Sequence, residues 1–218
     1  MLEVAEYCLD CKGVLKPAGM RLQVTDSDSE DALLRARAAA LGPVGRGATD
    51  GHALGVDWIS LIGSLELPRV RVQQLYSGWN AHHPPNKIVR EAMYALVGLS
   101  PTVPKVIVES PVGQAIIDHA SAEHPLVSPD RYDADHCSYF ALTTTTLLKP
   151  IEVWAVESDT ERPKRLRYLA AYTVGLTITT HVAIVDDDAR RVITAYRLDS
   201  HETRGEKKRK GELLYRAW

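Results

Sequence analysis

The sequence predicts an α+β fold, with helices followed by an antiparallel β-meander, and three observations carry that expectation. Ala- and Leu-rich segments with capping and stop signals fall mainly in the first half. Segments of period two, rich in β-branched residues, crowd the chain after Ile151. Two of the late segments, Thr177–Val185 and Arg191–Leu198, flank the turn-forming run Asp186-Asp-Asp-Ala-Arg190 and read as the arms of a hairpin.

In order, Met20–Val24 reads as a short strand. Ser and Asp residues from Asp26 to Asp31 then cap a helix over Ala32–Leu41, which Gly42-Pro43 stops. Residues 45–51 read as a loop. Val56–Gly63 is apolar but too short for periodicity to separate strand from helix. Asn80–Pro85 is a turn, and Asn86 caps a helix over Lys87–Val97 that ends at Gly98. Ser100-Pro-Thr-Val-Pro104 reads as a linker. It divides a mixed, mainly helical region at 1–103 from a second domain at 104–218, onto which the first region either packs or not.

Lys105–Glu109 is the first strand of the second domain. Ser110-Pro111 carries the signature of a helix start, with Pro at the first helical position, so a helix is expected over Gly113–His124, halted by Pro125. Residues 126–137 are turn-rich, and the threonine run in Tyr139–Leu148 leaves helix and extended chain both open. Ile151–Val156 and Arg165–Tyr172 are strands, and Glu212–Trp218 is a last, edge strand.

Composition narrows the classes. The 218 residues are 45% hydrophobic and 25% charged, the balance of a soluble globular protein. A formal net charge of -2 excludes a uniformly basic nucleic-acid coat but leaves room for a local basic patch. The first ten residues lack the basic and apolar regions of a secretory signal, and no apolar run suffices to span a bilayer, so a cytoplasmic setting without membrane contact is expected. Three cysteines do not make a disulfide framework. Cys8 and Cys11 form a CxxC pair, but no second ligand pair follows, and a structural role is preferred over half a zinc site or a redox dithiol. His82-His83 lacks carboxylates at useful spacing. No phosphate-binding GxxxxGK[ST] loop, HExxH helix or GxSxG elbow is present, and no metal or other cofactor is expected.

The residues that carry chemistry cluster late. Arg165 and Arg167, two apart on a strand, project from one face, and so do Thr194 and Tyr196. His119 and His124 lie about 140° apart around a helix, so only one can face the sheet easily. A basic run, Lys207-Lys-Arg-Lys210, reads as a loop that either grips phosphates or solubilises the surface.

The second half resembles the phage-associated branch of the barnase–EndoU–colicin–RelE nuclease superfamily. The pieces, in order, are Val106-Ile-Val-Glu-Ser110, Asp118-His-Ala-Ser-Ala-Glu-His124-Pro125, Leu147-Leu-Lys-Pro-Ile-Glu-Val-Trp154, Arg165-Leu-Arg-Tyr168, His181-Val-Ala-Ile-Val-Asp186, Val192-Ile-Thr-Ala-Tyr-Arg-Leu-Asp199 and Gly211-Glu-Leu-Leu-Tyr-Arg216. The resemblance implies a metal-independent endoribonuclease or toxin-type nuclease whose site sits on the polar face of a sheet. It assigns catalysis to His119 or His124 with Arg167, Thr194 and Tyr196. The excess of cations in this half independently points to RNA binding by Arg165, Lys207, Lys208, Arg209, Lys210 and Arg216. Histidine would move the protons and arginine would hold the phosphoryl charge. The partners implied are RNA (tRNA or mRNA), a cognate inhibitor, or phage structural proteins. The competing expectations are a virion-associated or morphogenesis protein with an inactive nuclease-like domain, and a nucleic-acid binder that does not cut.

Overall fold

The computed structural model describes residues 51–72, 87–127, 134–156, 164–198 and 201–218. One compact unit runs from Leu41 to Trp218. The expected strand at 20–24, the helix at 32–41, the Cys8–Cys11 pair, His82-His83 and the Asn86 cap lie outside the described residues. Among the described residues no helix is long and apolar enough to cross a membrane.

The fold is α+β. A short 3-10 turn at Gly51–Leu54 leads to α1 (Trp58–Ser64), β1 (Arg69–Val70) and α2 (Lys87–Leu96). Then come β2 (Lys105–Ser110), β3 (Gly113–Asp118), α3 (His119–Val127), α4 (Ala134–Tyr139) and α5 (Thr143–Leu148). The meander follows: β4 (Glu152–Val156), β5 (Arg165–Val174), β6 (Thr177–Asp186) and β7 (Val192–Arg197). Helix α6 (His201–Lys208) and strand β8 (Glu212–Arg216) close the chain. The main sheet has the order β7-β6-β5-β4-β8, antiparallel throughout, so β8 is the expected edge strand. The two residues of β1 pair parallel with Thr173 and Val174 of β5.

Both faces of the sheet are covered. This explains why alternation along β5 stops at Leu169, after which every residue to Tyr172 is buried. Leu166, Tyr168, Ala183, Val185, Val192 and Ala195 point to one face and pack with Val108, Ile117, Ala122 and Phe140 of the β2–β3 hairpin and the helices α3 to α5. Leu169, Ala171, Val182, Trp154 and Leu198 point to the other and pack with Trp58, Leu61 and Ile62 of α1.

Where periodicity left Val56–Gly63 undecided, the chain is helical. Asp57 caps α1 by accepting from the N–H groups of Ile59 and Ser60, and Trp58, Leu61 and Ile62 then fall on one buried face at helical spacing. Tyr139–Leu148 is helical too. Thr143 donates to the Phe140 carbonyl, and Thr146 is buried in hydrogen-bonding distance of Tyr172 and His181, so the threonines serve helix packing instead of a strand.

The helix expected over Gly113–His124 is a correction. Residues Gly113–Asp118 are a strand, paired in register with β2 from Ser110↔Gly113 to Lys105↔Asp118, and the helix begins only at His119. Ser110 and Pro111 open a tight turn instead. The Ser110 hydroxyl bonds the Gly113 carbonyl and Tyr168, and Gly113 takes φ +110, a conformation suited to glycine. Ala115 and Ile117 alternate into the core at 0% exposure, a period-two signal. Pro125 lies inside α3 and not at its stop, with the helix ending two residues later. A second correction concerns the basic run near the C-terminus. Lys207 and Lys208 form the last turn of α6, not a loop, where cations are favoured by the exposed carbonyls.

Candidate nucleic-acid interface

Strand register sets out the α1-facing side of the sheet in rows. Ala171 and Thr180 are neighbours, then Leu169 and Val182 with Tyr196, then Arg167 and Ile184 with Thr194, then Arg165 and Asp186. The apolar rows lie under α1, whose Trp58 indole donates to Thr180 Oγ1 at 2.9 Å. Toward the opposite end the rows become cationic and hydroxyl-bearing. Thr194 and Tyr196 share this face by alternation, opposite Ile184 and Val182, and a β-bulge at Ile193 then turns Val192 to the other face with Val185.

Four of the predicted residues therefore converge: Arg165, Arg167, Thr194 and Tyr196. The end of α6 adds a fifth. Lys208 Nζ stands 5.5 Å over the Tyr196 ring, and its backbone carbonyl accepts from Arg167 Nη1 at 3.4 Å. Arg167 is half-buried. Burial draws its pKa below the ordinary arginine value, the Tyr196 phenol opposes that, and Arg165 adds to it. The guanidinium stays charged at neutral pH all the same. Arg165 Nε is buried with no hydrogen-bond partner, an unspent donor beside this row. In the sequence Asp186 reads only as part of an acidic turn. Its Oδ1 accepts from the N–H groups of Asp188 and Ala189, and its register beside Arg165 brings a carboxylate to the same face.

Other predicted residues do not join this group. Helix α3 packs on the opposite face, where Ser121 Oγ donates to the Val192 carbonyl at 2.6 Å. His119, at the start of α3, stacks on Tyr94 of α2 at 4.4 Å, and its buried Nε2 has no hydrogen-bond partner. Tyr94 donates to Glu123, and Arg90 lies 3.9 Å from the same carboxylate. Burial and Glu123 push the Tyr94 pKa up to about 12. His124 is exposed. The sheet thus separates both helix histidines from Arg167 and Tyr196.

Arg209 is a further correction. Its side chain is 0% exposed and makes a two-pronged pair with Glu152, Nε to Oε2 and Nη2 to Oε1, each at 2.8 Å. Nη1 bonds Glu206 Oε2 at 2.9 Å. Burial opposes the charge, but the two carboxylates more than offset it, and the Arg209 pKa lies above its usual value. No donor remains facing solvent for a phosphate. Lys207 and Lys210 are exposed, and Arg216 lies over the Trp218 ring at 5.2 Å on β8. Among the described residues no group of three or more His, Cys, Asp or Glu side chains is arranged to hold a metal ion.

The domain is thus an α+β antiparallel meander backed by helices, with cations and hydroxyls gathered on one of its faces. Residues 92–216 match the family model described as phage-Barnase-EndoU-ColicinE5/D-RelE like nuclease 2, and the chain belongs to that family. No curated protein and no solved structure matches it.

Proposed function

We propose that the chain is a metal-independent endoribonuclease of phage or prophage origin, a toxin-type nuclease acting on RNA by transphosphorylation at the basic sheet face. The observation that carries this reading is the side-by-side row Arg167, Ile184 and Thr194, flanked by Arg165, Tyr196 and Lys208. A phosphodiester laid across it meets two guanidinium forks and an ammonium, with hydroxyls from Thr194 and Tyr196.

In the reaction the ribose 2′-oxygen bonds to the adjacent phosphorus while the bond from phosphorus to the 5′-oxygen breaks. The products are a 2′,3′-cyclic phosphate and a free 5′-hydroxyl. Arg165 and Arg167 hold the charge that grows on the non-bridging oxygens, a role in which one lost donor typically costs about 10²–10³ in rate. Asp186 is the carboxylate on this face that can take the 2′-OH proton, and the Tyr196 hydroxyl can supply one to the leaving 5′-oxygen. Proton transfer is thereby proposed for Asp186 and Tyr196, which share a face with the arginines, in place of His119.

The test is cleavage of labelled RNA by the purified protein in EDTA, beside Arg167→Ala, Tyr196→Phe and His119→Ala. The expected result is 2′,3′-cyclic ends, a loss of roughly 100-fold or more in Arg167→Ala, and no cleavage of DNA, which lacks the 2′-OH. Loss of activity in His119→Ala with Arg167→Ala unaffected would return the chemistry to α3. Salt-sensitive RNA binding without product would make the protein a binder.

A further inference from the structure

The candidate face is braced by a segment that packs on the same side of the sheet and lies outside the residues matched to the nuclease family. Residues 51–62 precede that match, which begins at 92, yet they converge on the end of α6. The Gly51 N–H donates to the Arg209 carbonyl at 2.7 Å, and Arg209 Nη1 donates to the Val56 carbonyl at 2.7 Å. The Trp58 N–H donates to Glu206 Oε2 at 2.9 Å, the same oxygen that accepts from Arg209 Nη1. On its other side Arg209 is clamped by Glu152 of β4, which also accepts from the Trp154 and Trp218 indoles. The fixed point is therefore the backbone at 208–209. Lys208 supplies from that point both the carbonyl that holds Arg167 and the ammonium over Tyr196.

We infer that Glu206 and Arg209 are positioning residues for the nuclease face, coupling the 51–62 segment to Arg167 and Lys208. This rests on the phosphate-binding role given to Arg167 above. A phosphate pulls on Arg167 and Lys208 together, and the buried Arg209 clamp keeps the peptide between them from moving. Displacement of a positioned group by about 1 Å can cost on the order of 100-fold in rate, so partial loosening is expected to cost roughly tenfold.

The experiment is a double-mutant cycle in the full chain. Glu206→Ala and the conservative Glu206→Gln are each made with and without Arg167→Ala, with melting curves confirming that every variant is folded at the assay temperature. Two readouts are taken, kcat/KM on a short RNA and Kd for the same oligonucleotide carrying 2′-O-methyl groups, which cannot be cut by this route. Glu206→Ala is expected to lower kcat/KM and weaken binding roughly tenfold. Glu206→Gln, which keeps an acceptor for Arg209, should recover most of that loss. In the Arg167→Ala background either change should cost clearly less than in the unmodified chain, the remaining loss running through Lys208. Losses that multiply equally in both backgrounds would show general destabilisation and overturn the inference, as would an unaffected Glu206→Ala. Absence of cleavage by the unmodified chain defeats the proposed function alone, because the coupling is still read from the binding of the uncleavable strand. Failure of the unmodified chain to bind that strand overturns both.

Discussion

At the scale of single residues, Asp186 and Arg209 exchange the roles their sequence contexts suggest. Asp186 sits in an acidic turn and reads as a solvated hairpin end, yet it caps that turn and stands beside Arg165 in the sheet. Asp186→Asn keeps an Oδ1 acceptor for the turn and removes the proton acceptor. It is expected to lower RNA cleavage roughly 100-fold with little change in melting temperature, as measured by single-turnover cleavage and a thermal melt. A large drop in stability with unchanged specific activity would make Asp186 a turn residue only. Arg209 sits in a basic run and reads as a phosphate contact, but its guanidinium is buried between Glu152 and Glu206. Breaking a buried pair by removing one partner typically costs about 3–5 kcal/mol, because the other charge is left uncompensated. A run of four basic residues cannot reveal which of them turns inward. That depends on a glutamate more than fifty positions away.

Among elements, the contact between α1 and α6 is the most exacting. Gly205 lies in α6 against the Trp58 indole, and a Cβ added there would stand 2.3 Å from Trp58 Cδ1. Trp58 is 0% exposed and tied to Thr180, so it has no room to withdraw. Gly205→Ala is therefore expected to destabilise by about 1–3 kcal/mol through overpacking, although alanine is the better helix former. Urea unfolding checks this, and a stabilised variant would mean that α1 is free to shift. The β2–β3 hairpin stands where the sequence signals a helix. Ser-Pro is equally at home at the start of a helix and in a turn, and Gln114–Asp118 is too short for its period to decide. The backbone settles the matter by pairing Lys105–Ser110 with Gly113–Asp118 and burying Ala115 and Ile117 against the sheet.

For the whole molecule, the consequence is that residues 51–103 contribute to the same cores as the residues after them. Trp58, Leu61 and Ile62 bury one sheet face, and Met93, Val97 and Leu99 join the core on the other. A fragment starting at 104 exposes Leu169, Ala171, Val182 and Leu198, and is expected to melt well below the full chain or to aggregate. Circular dichroism melts of that fragment and of the full chain check this. Stability should also fall in alkali. Burial pushes the Tyr172 hydroxyl to about 12 from the ordinary 10.0, partly offset by its bond to Thr146, and Tyr94 is likewise raised to about 12. The neutral phenol is favoured in the folded state, so the contribution is fully present below pH 10 and is lost as pH rises toward 12. For Tyr172 it is worth roughly 3 kcal/mol at most. Denaturant midpoints should decline through that window, and Tyr172→Phe should flatten the decline.

By itself the sequence determined the α+β class, the antiparallel run from Ile151 onward, the hairpin at Asp186–Arg190, the edge strand at the end and the family of the second half. These follow from local signals: period, turn residues and the order of short motifs along one chain. It also placed Arg165 with Arg167, and Thr194 with Tyr196, because alternation along a strand is a local property. Only the tertiary structure decided which pairs share a face, that α3 with His119 lies behind the sheet, and that Arg209 is a clamp. Side-chain direction across strands depends on register and on the bulge at Ile193, and burial depends on which helix covers which face. Both are set by contacts between residues far apart in the chain, and no local pattern encodes them.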